Sequence, residues 1–401
     1  MTADVSPVRT PYPLYGEEFM RDPYAVYERM RAECGPLAPI EVAPGVTGWL
    51  VLDYRAALDL LHDTRSWTKD SRVWQETVPE DHPVLGMLRW RPNLLFSDGE
   101  THARYRKVIT DSVARIEPHR LRAMTQEIAD LLIDTFIDEG RVELVGQYCR
   151  PIPLYVINRL FGLEDDRAPN LIQALAGLME GTGPEATAQF ERYMGELLMA
   201  KMAQRGDDIT SWYLDHPHEL TPEEVLHHLV LTVGAGQEPT TNLISNALSR
   251  LLADDSYRAS WTDGIHTPRE AVEQVLRFET PIANYAFHFP LRDINFHGVD
   301  LPAHTLVMVS MAAAGADPKG PGAAETRGGS RAHLSWSAGP HACPAQQPAT
   351  LISTTAIEHL VSRLPDLRAE VPRSQLEWRP GAFHRSLVAL PARFTPPGGL
   401  T

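Results

Sequence analysis

The run from Thr221 to Leu252 constrains this chain more than any other stretch. It carries the longest helical spacing of apolar residues, so the rest of the chain has to be arranged around one long helix. The run opens on Thr221-Pro222-Glu223-Glu224, a capping residue, a proline at the first helical position and acids in the first turn. Its middle reads Gly234-Ala235-Gly236-Gln237-Glu238-Pro239-Thr240-Thr241. A glycine inside a helix costs about 1 kcal/mol relative to alanine, and a proline there costs about 3 kcal/mol. Both costs in one helix predict a local distortion that has a use; the plainer reading is a simple kink.

Most other segments also read as helix. Apolar residues recur at helical spacing over Asp22–Arg31, Tyr54–Leu61, Thr101–Val113, Leu121–Phe136, Pro153–Gly162, Pro268–Phe278 and Gln347–Leu364. Gly162 is placed to cap its helix. Trp49–Leu52 reads as a short strand, and Asp293–Val309, broken by Gly298 and Pro302, as short strands with a turn. The fold class expected is mainly α with a small β region, in a single domain over residues 1–401. Two loops stand out. Ser71–Phe96 carries Trp74, Met87, Leu88 and Trp90 among prolines. Those side chains either pack down on the core or cover a ligand, since binding sites favour aromatic and apolar linings. Asp317–Arg331, rich in Gly, Ala and Pro, reads as irregular surface chain.

Composition excludes several classes. A charge of −15 over 401 residues argues against nucleic-acid binding, which needs clustered Lys and Arg. No apolar run reaches the length of a membrane span, and Met1–Met20 lacks the apolar centre of a signal peptide. Cys34, Cys149 and Cys343 are odd in number and far apart, which points to a reducing, cytoplasmic setting rather than a disulfide framework. His216/His218 and His227/His228 lack the spacing of a helix-borne zinc pair and read as solvated surface.

The segment Trp336-Ser337-Ala338-Gly339-Pro340-His341-Ala342-Cys343-Pro344 carries the strongest chemical signal. A lone cysteine is most often a small buried apolar residue. Here it has an aromatic seven before it, a glycine four before, a histidine two before and a helical run after. That is the layout of a loop presenting one thiolate to a haem iron, where the ligand's electron density favours O–O cleavage. Gly339 would let the backbone turn tightly beside the porphyrin. His341 would donate to a propionate, and Trp336 would shield the sulfur.

With these residues in place, the chain from about Asp22 to Pro391 resembles the cytochrome P450 family in its soluble bacterial class. The resemblance implies the cytochrome P450 fold, haem b as cofactor and Cys343 as its metal ligand, on a loop of about residues 333–347. It implies His341 as a propionate partner, together with His102 and Arg106, one turn apart on one helix face. Ala235 and Gly236 match the small residues that let the oxygen-binding helix, about residues 221–252, pass close to the haem. The loop of about residues 71–96 would cover the substrate, with Trp74, Met87 and Trp90 as its contacts.

The chain also departs from the family pattern. Glu238 matches the acid of an acid–threonine pair that delivers protons, but Pro239 occupies the threonine position. Thr240 lies one residue on, rotated about 100° around the helix. Gln274 stands where a Glu-x-x-Arg pair with Arg277 has its acid, with Glu273 one residue earlier. His288 falls where a propionate-binding arginine is common, and Ala345 replaces a glycine. The resemblance implies a haem-thiolate oxidase that hydroxylates or oxidatively couples a small organic or peptide natural product. Its electrons would come from NAD(P)H through a reductase and a ferredoxin-type donor, with no nucleic-acid or membrane partner. The alternative is a non-catalytic haem-binding or sensor protein on the same fold.

Overall fold

The computed structural model describes residues 10–163, 184–253, 267–321 and 332–397. Of the irregular chain expected over Asp317–Arg331, residues 322–331 lie outside the described residues, as do residues 1–9 of the N-terminal stretch. The principal helices are α1 (Pro23–Cys34), α2 (Tyr54–His62), α3 (Gly99–Ala114), α4 (Pro118–Asp134), α5 (Pro151–Phe161), α6 (Pro184–Ala203), α7 (Pro222–Ala253), α8 (Pro268–Phe278) and α9 (Gln346–Arg363). The strands are β1 (Tyr12–Pro13), β2 (Leu37–Ala43), β3 (Val46–Val51), β4 (Trp67–Thr68), β5 (Arg141–Glu143), β6 (Asn284–Pro290), β7 (Ile294–Phe296), β8 (Val299–Leu301), β9 (Val307–Ser310), β10 (Arg368–Ala369) and β11 (Pro391–Arg393).

Local signals place the helix ends. Asp22 caps α1 by accepting from the Ala25 N–H, and Asp53 caps α2 through the Arg55 and Ala56 N–H groups. Gly162 closes α5 in the left-handed conformation at φ 78°, as its position predicts. Thr267 and Glu270 form a reciprocal capping box at the start of α8.

Helix α7 runs through the helical half. One face of it packs Leu243, Ile244, Ala247, Leu248 and Leu251 into a core shared with Ile128 and Ile133 of α4, Ile152 and Val156 of α5 and Ile357 and Leu360 of α9. Another face sends Val225, Leu229 and Val233 against Phe190, Met194 and Leu197 of α6. A helix buried on several sides is held by tertiary packing, which lets it absorb the cost of Pro239. The β half is a six-stranded sheet in the order β1-β2-β3-β9-β6-β4. The β2–β3 hairpin sets Leu37 opposite Val51, β3 runs parallel to β9 with Trp49 opposite Val307, and β9 pairs antiparallel with β6. Phe287 and Phe289 of β6 point into a core with Trp74, Leu88 and Phe96 of the loop expected to cover a ligand.

Candidate active site

The site is the space between α7, the β6 region, the 86–96 segment and the Cys343 loop. It is a cavity of about 340 Å³. Its walls are mainly apolar: Met87, Leu95, Phe96, Phe190, Val230 and Leu243 are among the lining residues. Ala235, Gly236, Pro239 and Thr240 of α7 all line it, as do Trp336, His341 and Cys343. Ala235 is exposed in a helix that is otherwise largely buried, because the cavity opens at that point.

Cys343 sits just before α9, half-buried, with one side on the cavity. Its N–H donates to the Trp336 carbonyl at 2.8 Å, which closes the loop on itself. Burial pushes its thiol up, while the Ala345 N–H and the Arg106 guanidinium pull the other way and favour the thiolate. Gly339 adopts φ 68°, and a Cβ there would lie 2.1 Å from the Leu61 carbonyl oxygen. The glycine that was expected to spare a porphyrin is thus required by the backbone of α2.

The basic residues expected around the cofactor converge. The rings of His102 and His341 stand 4.2 Å apart, and His341 lies 3.9 Å from Asp98. Arg106 lines the cavity and donates to the Ala342 carbonyl at 2.5 Å. His288 is buried on β6, its Nδ1 3.1 Å from the Ala286 carbonyl. Lys69 joins them and was missed by the sequence reading. It is 2% exposed, lines the cavity and donates to the Phe287 carbonyl at 2.6 Å. Burial pulls its ammonium down to about 7, with Asp98 opposing. Burial likewise lowers His102, brings His341 down to about 4 and holds His288 well below its ordinary value. Near neutral pH these three histidines are therefore neutral, each with a single N–H, which His288 spends on the Ala286 carbonyl; Arg106 carries a full positive charge and Lys69 a partial one.

That donor set fits an iron porphyrin. The Nε2 of His102 is buried with no hydrogen-bond partner among the described residues, and Lys69 uses one of its three N–H bonds on a carbonyl. Two propionates would satisfy both. Lys69, Arg106, His102 and His341 would hold the carboxylates and Cys343 the iron. Bound there, the group supplies dioxygen activation, with the thiolate donating electron density.

The remaining candidates are placed as follows. Glu238 is buried on the flank of α7 away from the cavity lining, ion-paired with Arg379 and 3.5 Å from the Ser386 hydroxyl. Thr240 faces the cavity and donates its hydroxyl to the Gly236 carbonyl at 2.6 Å. Pro239 has no N–H, so the Ala235 carbonyl loses its partner four residues on. Met87 lines the cavity, and its carbonyl accepts from the Tyr285 hydroxyl at 3.0 Å. Trp74 packs on Phe289 at 5.6 Å, and Trp90 stacks under Arg72 at 4.8 Å; neither is among the lining residues. Glu273 approaches His333 at 3.6 Å, which ties α8 to the segment leading into the cysteine loop. Among the described residues no group of His, Cys, Asp and Glu could hold a bare metal ion, and no helix is long and apolar enough to cross a membrane.

An apolar chamber with one cysteine before a helix and a buried basic cluster beside it belongs to the class of thiolate-ligated haem proteins. The chain is 32% identical over 392 residues to the cytochrome P450 monooxygenase PikC of Streptomyces venezuelae, covering 94% of this chain and 92% of that one. It belongs to the cytochrome P450 family. No protein-family model matches it. The structure of CYP154C4 from a Streptomyces species superposes with a TM-score of 0.87 at 28% identity, over 96% of this chain and 98% of that one. CxnD, a cytochrome P450 for C–S bond formation in chuangxinmycin biosynthesis, superposes with a TM-score of 0.83 at 25% identity, over 96% and 98%. The chain is a cytochrome P450 enzyme with the fold the sequence pointed to. Its cofactor is haem b, and cytochrome P450 homologues take their electrons from NAD(P)H through ferredoxin and reductase partners.

Proposed function

We propose that this enzyme oxidises a small organic or peptide natural product by hydroxylation or oxidative coupling, with Cys343 as the axial ligand and a ferredoxin docking on the cysteine side. The observation that carries the reading is the single cavity that runs from the apolar 86–96 segment past Ala235, Gly236 and Thr240 to Cys343. Apolar walls bury a greasy substrate and exclude water from the reacting centre. The 86–96 segment is anchored to the sheet through the Tyr285–Met87 bond, which holds one wall in place.

Proton delivery in this reading falls to an ordered water or substrate hydroxyl, which Thr240 and the Ala235 carbonyl hold by accepting from it. Thr240 has spent its proton on Gly236, so it accepts from whatever enters the cavity. The Ala235 carbonyl, without a helical donor, offers a second acceptor one turn earlier. Glu238 is held by Arg379 and Ser386 of the C-terminal segment and does not line the cavity, so it takes no direct part in this route. The C–S bond formation named for CxnD is a relative's outcome other than hydroxylation, so both outcomes stay in the proposal.

The test is reconstitution with ferredoxin, reductase and NADPH against a panel of polyketide, aromatic and cyclic-peptide compounds. Product mass decides the outcome: one added oxygen marks hydroxylation, and loss of two hydrogens marks coupling. NADPH use that no compound stimulates, together with no product, would contradict the proposal.

A further inference from the structure

The charges around the cavity fall into two groups with different surroundings. Among its described lining residues there is no aspartate or glutamate. Lys69, Arg106 and His341 gather around Asp98 and the cysteine loop, where the cofactor's carboxylates belong. Arg91 bonds elsewhere. It is 9% exposed, at the end of the 86–91 stretch, and lines the same cavity. Its Nε donates to Glu191 of α6 at 3.3 Å, and its Nη1 to the carbonyls of Gly86 at 3.3 Å and Arg89 at 3.4 Å. All three bonds lie at the long end of the range for N–H···O. Its counter-ion is the more solvated partner, since the Glu191 side chain is 34% exposed and that of Arg91 is 10% exposed.

A guanidinium carries five N–H donors in a planar fork. Buried with long bonds and a rim-side carboxylate, it is poorly paired for a desolvated cation. A carboxylate entering from the cavity can form the short bidentate pair that Glu191 does not. The absence of lining acids works in the same direction, because nothing there would pair a substrate ammonium.

We infer that Arg91 is the anion receptor of the substrate cavity, and that the enzyme favours apolar substrates bearing one carboxylate or comparably acidic group, which takes Glu191's place on the guanidinium. This rests on the cavity being the substrate chamber of a haem-loaded enzyme.

The haem-loaded full-length chain is titrated with dodecanoic acid and with methyl dodecanoate, and the spin-state shift of the Soret band is followed. The acid is expected to bind more tightly than the ester. Arg91→Gln should weaken acid binding by about tenfold and leave the ester within about twofold. Glu191→Gln, which removes the competing carboxylate at a residue that does not itself line the cavity, should strengthen acid binding by roughly threefold. Arg91→Lys keeps the charge and should retain part of the preference, which separates charge from folding damage. An acid-to-ester ratio unchanged across these proteins overturns the inference. So does a spectrum that neither probe perturbs in a protein with an intact thiolate-haem signature. Loss of that signature in the unsubstituted protein would instead remove the reading of the cavity itself.

Discussion

Lys69 and Pro239 show how single residues set the terms of this site. A lysine in a polar stretch such as Thr68-Lys69-Asp70 looks like surface charge, and only the packing of the loop under Phe287 reveals it as buried. Its ammonium is desolvated and holds one carbonyl, so in the haem-free chain it is a cost. Lys69→Met should therefore leave the melting temperature of the haem-free protein unchanged or raise it. The same variant should speed haem transfer to an apo-globin acceptor by about tenfold, because a propionate loses a charged donor. Equal transfer rates would remove Lys69 from the cofactor site. Pro239→Thr restores a helical N–H and a hydroxyl beside Thr240. The change should raise stability by about 1 kcal/mol in thermal melts. It should also raise the product formed per NADPH severalfold, or roughly 1 kcal/mol of transition-state stabilisation, if proton supply limits turnover. An unchanged yield would show that neither a hydroxyl at position 239 nor an unbonded Ala235 carbonyl governs proton supply. Gly339→Ala meets both a positive φ and the Leu61 carbonyl, so a loss of about 3 kcal/mol is expected. An unaltered melt would show that the loop relaxes freely.

At the scale of elements, α7 is joined to α3 by a cluster that the sequence did not announce. Glu224 in the first turn of α7 takes the Arg104 guanidinium and the Tyr105 hydroxyl, the latter at 2.6 Å, and accepts from its own Thr221 N–H at 2.9 Å. Burial pushes its carboxyl up, but these three donors outweigh it and hold the group at about 2. A depressed carboxyl contributes stability above its unfolded value of 4.5 and loses it as pH falls through about 2. Glu224→Gln should therefore flatten the acid side of the stability profile, by about 1 kcal/mol after allowance for the exposed side of Arg104. Identical acid profiles for the two proteins would show that the cluster adds nothing. The helices themselves were legible because their apolar spacing is regular: α8 matches its expected span, Pro268–Phe278, residue for residue. Helix α6 and the short helix Ile209–Leu214 went unread. In α6 the buried set Phe190, Met194, Leu197 and Leu198 is helical in spacing, but exposed Met199 and Met202 blur the face. The cysteine loop and the His102–Arg106 face were legible because their chemistry depends on short local spacing. Lys69, Arg91 and the Glu238–Arg379 pair depend on contacts between distant segments, which no local pattern carries.

Across the whole molecule, a helical half and a six-stranded sheet enclose one apolar chamber between them. Helix α7 contributes the small residues of one wall, and α9 begins beneath the chamber with Cys343 just ahead of it. The same arrangement explains why Pro239 is tolerated, because α7 is held on several faces and does not need every backbone bond. Charge is distributed to match: a net −15 over the chain, but arginine, lysine and histidine gathered where carboxylates of a cofactor or substrate would sit. The most direct measurement is the carbon monoxide difference spectrum of the reduced protein beside that of Cys343→Ser. The unsubstituted protein should show the strongly red-shifted Soret band of a thiolate ligand, and the variant should lose it while keeping pigment. A histidine-type Soret position in the unsubstituted protein, or an unchanged spectrum in the variant, would contradict the assignment of Cys343 as the iron's ligand.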